Sequence, residues 1–176
     1  MFDDLPRDAA IADIPCGTGR LGEVLLQMGF TITGIDIARP MLEVAARRLE
    51  RFVGRFDLRL SDARELGEIG RKFDATLCAR VLMHFPLAQQ VLFLRSITNV
   101  TTRRVVFTQG VDTPYHRLRR RLKRLLGHQV PARYPLTNRD LLRLIKSAGL
   151  REIRRYRLLP VISEAVVVVC EPVSNA

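Results

Sequence analysis

The chain has no tryptophan, and only three tyrosines and three cysteines among its 176 residues. It also has three histidines and, past its midpoint, very few acids. Each shortage removes a class of explanation. Cys16, Cys78 and Cys170 are odd in number and show no C-x-x-C spacing, so neither a disulfide framework nor a zinc site is indicated, and a reducing cytoplasm is the expected compartment. His84, His116 and His128 lack metal-ligand spacing, and no metal is expected. Neither a G-x-S-x-G nucleophile elbow nor a G-x-x-x-x-G-K-S/T phosphate loop occurs. The longest late apolar run, 165–170, falls far below the ~18 residues that cross a bilayer, and the start of the chain is acidic, unlike an export signal. A chain of this length with 47% hydrophobic residues is expected to form one domain, 1–176, with a single substantial core.

The net charge of +11 is unevenly placed. Residues 1–75 hold 11 basic and 13 acidic side chains, whereas residues 76–176 hold 18 basic and 5 acidic. Arginine supplies 26 of the 29 basic residues, a preference that genome base composition can produce. Codon bias would act on both halves alike, so it does not explain the asymmetry.

The strongest positive signal is Ile11-Ala-Asp-Ile-Pro-Cys-Gly-Thr-Gly-Arg-Leu-Gly22, followed by Thr31-Ile-Thr-Gly-Ile-Asp36. An apolar strand runs into a glycine turn and a helix, and a second strand ends in an acid. Glycine lets a ligand come close to the backbone, and the following helix offers free N–H groups. The Asp36 carboxylate, at the tip of the neighbouring strand, can accept hydrogen bonds from a ribose diol. Gly17-Thr-Gly-Arg-Leu-Gly22 also satisfies the dinucleotide pattern G-x-G-x-x-G, so at this point a nicotinamide oxidoreductase stays open.

The downstream pattern separates these readings. Alternating strands near 10–15, 31–36, 56–60, 73–79 and 102–109 with helices near 19–28, 40–51 and 87–98 predict a parallel sheet covered on both faces. A last helix near 138–148 stops at Gly149. Strands at 152–159 and 164–170 then follow, joined by only Pro160 to Ser163, too short for a crossover, and must be antiparallel. In order come D-x-x-C-G-T-G-R from Asp13, G-x-D-x-x-x-x-M-L-x-x-A from Gly34, Asp62-Ala63 after the third strand, and Phe73-Asp74 with V-L-x-H-x-P around the fourth.

With these motifs the chain resembles the class I S-adenosylmethionine (SAM) dependent methyltransferases of small-molecule type. The resemblance implies an α/β Rossmann-like three-layer sandwich, its mostly parallel seven-stranded sheet ending in an antiparallel hairpin. It implies SAM as methyl donor, with S-adenosylhomocysteine as product. Gly17 and Gly19, with Cys16 on the same loop, would pass beneath the cofactor, and Asp36 would take the ribose. Ile37 would lie on the adenine, and Asp62 and the Ala63 N–H would meet its polar edge. Asp13 would bind loop N–H groups or, through water, the methionine ammonium, and the backbone at Ala79 and Arg80 would line the methionine side. His84 lies where family substrates approach. An imidazole titrates near ~6.5, which makes it the candidate general base, with Tyr115, His116 and Tyr134 as weaker candidates. Where this chain has Pro15 the family usually has glycine, and only the short stretch Met1 to Asp8 stands ahead of the first strand region where the family usually carries a lid. Either the lid is absent or the chain starts short. A SAM-binding protein with little catalysis is therefore the alternative.

Residues 110–135 are the least family-like and are expected to form a basic insertion on the substrate side. Within it Tyr115, Leu118, Leu122, Leu125 and Leu126 recur at helical spacing among arginines without an acid, which predicts a basic amphipathic helix ended by Gly127. Leucines docked on the core with solvated arginines outside is the plainest reading. An anionic membrane surface bound through 115–126 is the second, which would make the protein cytoplasmic but peripheral to the membrane, with a small or lipid-linked anionic acceptor. Nucleic acid is less favoured, because aromatic residues that stack bases are scarce.

Overall fold

The computed structural model describes residues 1–2, 4–126, 134–157 and 164–173, without the side chains of 116, 119, 120, 123 and 124. The chain runs β1 (Ala10–Asp13), α1 (Arg20–Gln27), β2 (Thr31–Asp36), α2 (Arg39–Leu49), β3 (Phe56–Leu60), β4 (Phe73–Cys78), α3 (Leu87–Asn99) and β5 (Thr101–Gly110). It continues through α4 (Pro114–Leu125), α5 (Asn138–Ser147), β6 (Leu150–Arg157) and β7 (Ala165–Pro172). The seven strands form one sheet in the order β3-β2-β1-β4-β5-β7-β6. The first five pair in parallel. β7 enters antiparallel between β5 and β6.

Alternation along the strands builds a core on each face. Ala12 and Ile14, Val105 and Phe107, and Val166, Val168 and Cys170 pack on one side with Phe93, Leu94 and Ile97 of α3 and Leu141, Leu144 and Ile145 of α5. Ile11, Ile32, Val106, Val167 and Val169 pack on the other with Leu25 and Leu26 of α1 and Leu49 of α2. Period-2 burial on both faces is what a covered parallel sheet requires. α5 starts where the Thr137 hydroxyl accepts the Asp140 N–H at 3.1 Å, a side-chain cap.

The expected elements are present with shifted ends. β1 stops at Asp13 instead of 15, because Pro15 has no N–H to give a ladder. α2 gives way after Leu49 to a 3-10 turn, Glu50–Phe52. The expected link 160–163 and the expected stop at Gly127 lie outside the described residues.

One expectation is overturned. The leucines of α4 do not dock on the core: Leu118, Leu122 and Leu125, with Leu126 just beyond, are all more than half exposed, as is Tyr115. Val111, just past the end of β5 and ahead of α4, is instead buried in the core with Leu136 and Leu141.

Gly34 in β2 is a packing constraint that bears on the site. A Cβ there would stand 2.7 Å from Leu58 Cδ2, 3.1 Å from Cys16 Sγ and 3.2 Å from Cys16 Cβ. The leucine methyl can swing aside, but Cys16 is buried on the glycine loop. Gly34→Ala should therefore cost ~1–3 kcal/mol and lower Tm by several degrees. Gly67→Ala, where nothing lies within 4 Å, is the control. Equal melting temperatures for the two variants would show that the loop has room to spare.

Candidate functional site

The C-terminal ends of β1, β2 and β4 converge on the loop after β1. That loop is tied to both neighbouring strands, with the Ile14 N–H donating to Leu77 O at 2.8 Å and the Cys16 N–H to Ile35 O at 2.9 Å. Gly17 and Gly19 have φ of 53° and 74°, a region costly for other residues. Their surroundings differ. A Cβ on Gly19 would meet Ala45 Cβ at 3.2 Å, so this glycine also lets α2 approach, whereas above Gly17 nothing lies within 4 Å. Arg48 of α2 braces the loop, its Nε donating to Thr18 O at 2.9 Å while its guanidinium pairs with Glu23 at 3.2 Å.

A cavity of about 550 Å³ opens beside this loop. Asp13 lies at its buried end; Pro15, Cys16, Gly17, Thr18, Arg20 and Leu21 form one wall, and Ala79, Arg80, Met83 and His84 another. Ala165 reaches it from β7, brought in by pairing with Gly110.

Asp13 is the least comfortable group in the molecule. It is 1% exposed, and neither carboxylate oxygen has a hydrogen-bond partner among the described residues. Burial pushes its carboxyl up to about 7; the Gly22 N–H opposes the rise without reaching hydrogen-bond geometry, and the charge of Asp36 adds to it. Asp36, at the end of β2, is well satisfied. Its Oδ2 accepts the Gly17 N–H at 2.8 Å and its Oδ1 the Ala38 N–H at 2.9 Å. Each oxygen keeps another lone pair. Next to it Ile37 is 68% exposed, a large apolar side chain standing in solvent.

The remaining expected residues are spread along the same edge. Ala63 is buried, and the Asp62 carboxylate is engaged by Arg64, at 2.5 Å from its terminal nitrogen and 2.9 Å from its N–H. That pairing holds the Asp62 carboxyl below its usual range. Cys16 makes a long Sγ contact to Gly17 O, and burial pushes its thiol up to about 12, so it remains protonated and is no nucleophile. His84 lies on a 3-10 turn after β4 and faces the cavity mouth. Tyr115 and Tyr134 do not line the cavity. His116 has no described side chain, and His128 lies outside the described residues.

Sequence reasoning missed Thr18, Leu21, Met83 and Ala165 as cavity wall, and the brace from Arg48. Ala165 depends on a long-range strand register, and Arg48 on two helices meeting. Neither leaves a local pattern.

The family described as a methyltransferase domain matches residues 11–104, just over half of the chain. A magnesium-protoporphyrin O-methyltransferase of Synechocystis sp. is 24% identical over 103 residues, 58% of this chain and 45% of that protein. A ubiquinone biosynthesis O-methyltransferase of Azorhizobium caulinodans is 39% identical over 85 residues, 48% of this chain and 33% of that protein. The chain thus spans less than half the length of these relatives. The crystal structure of a magnesium protoporphyrin IX methyltransferase from Synechocystis with bound S-adenosylhomocysteine superposes with a TM-score of 0.81 at 19% identity, over 96% of this chain and 76% of that one. A Burkholderia thailandensis 1,6-didemethyltoxoflavin-N1-methyltransferase with bound S-adenosylhomocysteine gives 0.77 at 18%, over 98% and 75%. Sheet order, glycine loop and strand-end acids together with the matched span lead to one conclusion: the chain belongs to the methyltransferase domain family and has the class I, Rossmann-like fold of SAM-dependent methyltransferases.

Proposed function

We propose that this protein transfers a methyl group from SAM to a small anionic acceptor. The observation that carries the reading is the buried Asp13 carboxylate, unpartnered and pointed at a cavity beside an open glycine loop. A carboxylate left this way is costly unless a cation completes it. SAM supplies a methyl on a cationic sulfonium and carries an ammonium at its amino-acid end. Asp13 answers the ammonium, directly or through water. The free lone pairs of Asp36 accept the ribose hydroxyls, and the exposed face of Ile37 covers the adenine. The Ala63 N–H donates to the adenine ring, and Asp62 takes the adenine amino group if Arg64 shares it. The loop at Cys16, Gly17 and Gly19 and the backbone at Ala79 line the adenosyl–methionine path. Methyl transfer depends mainly on alignment, so the protein's task is to hold the acceptor in line. His84 at the cavity mouth is placed to take a proton where the acceptor carries one.

A second partner is favoured by the leucine stripe of α4. A basic helix with three exposed leucines, and a fourth just beyond its end, suits an anionic lipid surface, which binds arginine heads and apolar side chains together. This supports a membrane-proximal or lipid-linked acceptor.

Equilibrium binding tests the main reading: S-adenosylhomocysteine should bind at micromolar levels or better, and NAD should not. Asp36→Ala should weaken S-adenosylhomocysteine at least ~10-fold while circular dichroism shows the fold intact, because charge-assisted bonds to the ribose are lost. An unchanged Kd in the folded variant would take Asp36 out of the site.

Asp13 gives a pH signature. Its folded-state value, about 7, lies above the ordinary 3.8, so the folded protein holds the proton more tightly. The stability this contributes is full below the ordinary value and is lost as pH rises through about 7. Asp13→Asn, which mimics the protonated form, should raise Tm at about pH 8 and give no gain at about pH 4. A bound ammonium calls for the ionised form. Wild-type affinity for S-adenosylhomocysteine should therefore fall up to ~10-fold per pH unit below about 7, and the Asn variant should bind weakly at every pH. A pH-independent wild-type affinity would disconnect Asp13 from the ligand.

The α4 reading predicts binding to vesicles containing anionic lipid that weakens steeply with salt, and that falls when Leu122 and Leu125 are made Ser or Arg117 and Arg121 are made Gln. Indifference to such vesicles, with tight RNA or DNA binding at ~0.15 M salt, would replace the membrane by nucleic acid.

A further inference from the structure

The cavity is lined by the glycine loop and the segment after β4, on which the adenosyl–methionine path was placed above. Asp36, Ile37 and Asp62 are absent from its lining. On the proposed reading the adenosine half, held by those residues, extends beyond this lining, and part of the 550 Å³ is left for a second molecule. Charge is arranged in layers within it. Asp13 is the sole acid among the described lining residues and is buried, while Arg20, from the start of α1, and Arg80, from the segment after β4, line the same cavity and are exposed.

Arg80 is held there against its own preference. It is the only non-glycine residue at positive φ among the described residues, at 60°, and its N–H donates to the Thr108 hydroxyl at 2.6 Å. An arginine in the left-handed region is strained and persists where its surroundings fix it. The result is a guanidinium turned out at the end of β4, one residue past the Ala79 backbone and four before His84. Arg20 opens α1 directly after the glycine loop. Neither guanidinium has an ion-pair or hydrogen-bond partner among the described residues, whereas Arg48, Arg64, Arg104 and Arg155 are each paired with a carboxylate.

We propose that Arg20 and Arg80 form an anion clamp across the cavity mouth that takes a carboxylate or phosphate of the methyl acceptor. The clamp rests on the methyltransferase reading given above. Arginine suits such groups because its planar fork matches two oxygens at once. Two forks from separate segments at the exposed side of the cavity hold an acceptor by its anionic end and leave its nucleophilic atom turned inward. The clamp sets which acceptors are accepted, and His84 on the same wall remains free for proton removal.

An anion at this place can also come from the carboxylate of SAM itself, and the test separates the two sources. Inorganic phosphate is titrated into protein saturated with S-adenosylhomocysteine. The unsubstituted protein should show saturable binding, weakened at least ~10-fold by Arg80→Gly and by Arg20→Gln. Glycine takes φ near 60° without strain, so Arg80→Gly keeps the backbone. Affinity for S-adenosylhomocysteine should stay within ~2-fold in both variants. If S-adenosylhomocysteine weakens ~10-fold while 5′-methylthioadenosine, which lacks the amino-acid end, is unchanged, the arginines hold the cofactor carboxylate and the acceptor clamp is overturned. Phosphate binding that is absent, or equal in the variants, overturns it as well. Failure of the unsubstituted protein to bind S-adenosylhomocysteine would instead overturn the methyltransferase reading beneath it.

Discussion

The position of β1 governs the rest. It lies inside the sheet between β2 and β4, and the chain leaves it through α1 toward one face while β4 is followed by α3 on the other. Where successive connections part to opposite faces, a crevice opens at the carboxyl ends of the strands, and no loop sequence can close it without filling it. The groups assigned to the site come from those ends: Asp13 from β1, Asp36 from β2, Ala79 and Arg80 from β4. The loop after β1 spans the crevice, stitched to Leu77 on one side and Ile35 on the other. Gly34 is glycine because the Cys16 side chain of that loop lies where its Cβ would be.

What could be read in the sequence follows from this geometry. Strand ends marked by acids, glycines after an apolar run and helical spacing of leucines are local signals, and they located the sheet, its helices and the edge bearing Asp13, Gly17, Asp36 and His84. The antiparallel close was legible for a steric reason, since so short a link as 160–163 permits no crossover. Features set by tertiary contact were not. The pairing of Asp62 with Arg64 depends on a rotamer, the brace of Arg48 on the packing of α2 against the loop, and the backbone of Arg80 on a hydroxyl 28 residues away. The leucines of α4 misled for the opposite reason. Their periodicity is genuine, but periodicity states only that one face is apolar and not what covers it.

Asp13 shows why the site cannot be understood as packing. A leucine or asparagine at this place would relieve a buried, unbonded carboxylate, and the second acid nearby, Asp36, makes the ionised form harder still to keep. Asp36 escapes the same difficulty through two backbone N–H groups. The difference between them is therefore one of satisfaction: one acid is finished by the fold, and on the proposed reading the other is completed by the cofactor ammonium. Raised carboxyl values of this sort gather in clefts that bind or react, because there a ligand completes the electrostatics that folding left open.

Seen together, the charges divide the cavity between two ligands of opposite demand. The cofactor proposed for the inner end is cationic at its sulfonium and its ammonium, and the acid facing it is deep, where low dielectric strengthens a matched pair and punishes an unmatched one. The arginines stand at the mouth, where water screens them and an anion can be exchanged rapidly without a large desolvation cost. Reversing this order would place guanidiniums in the interior beside a sulfonium and leave the acid to solvent, weakening both ligands at once. The net positive excess of the chain falls in residues 76–176, the half that holds Arg80 and α4. A potential of that sign draws anionic acceptors toward the mouth before any specific contact is made. On the proposed reading the basic half and the buried acid act as two parts of one arrangement: the first gathers the acceptor, and the second keeps the cofactor end from being occupied by it.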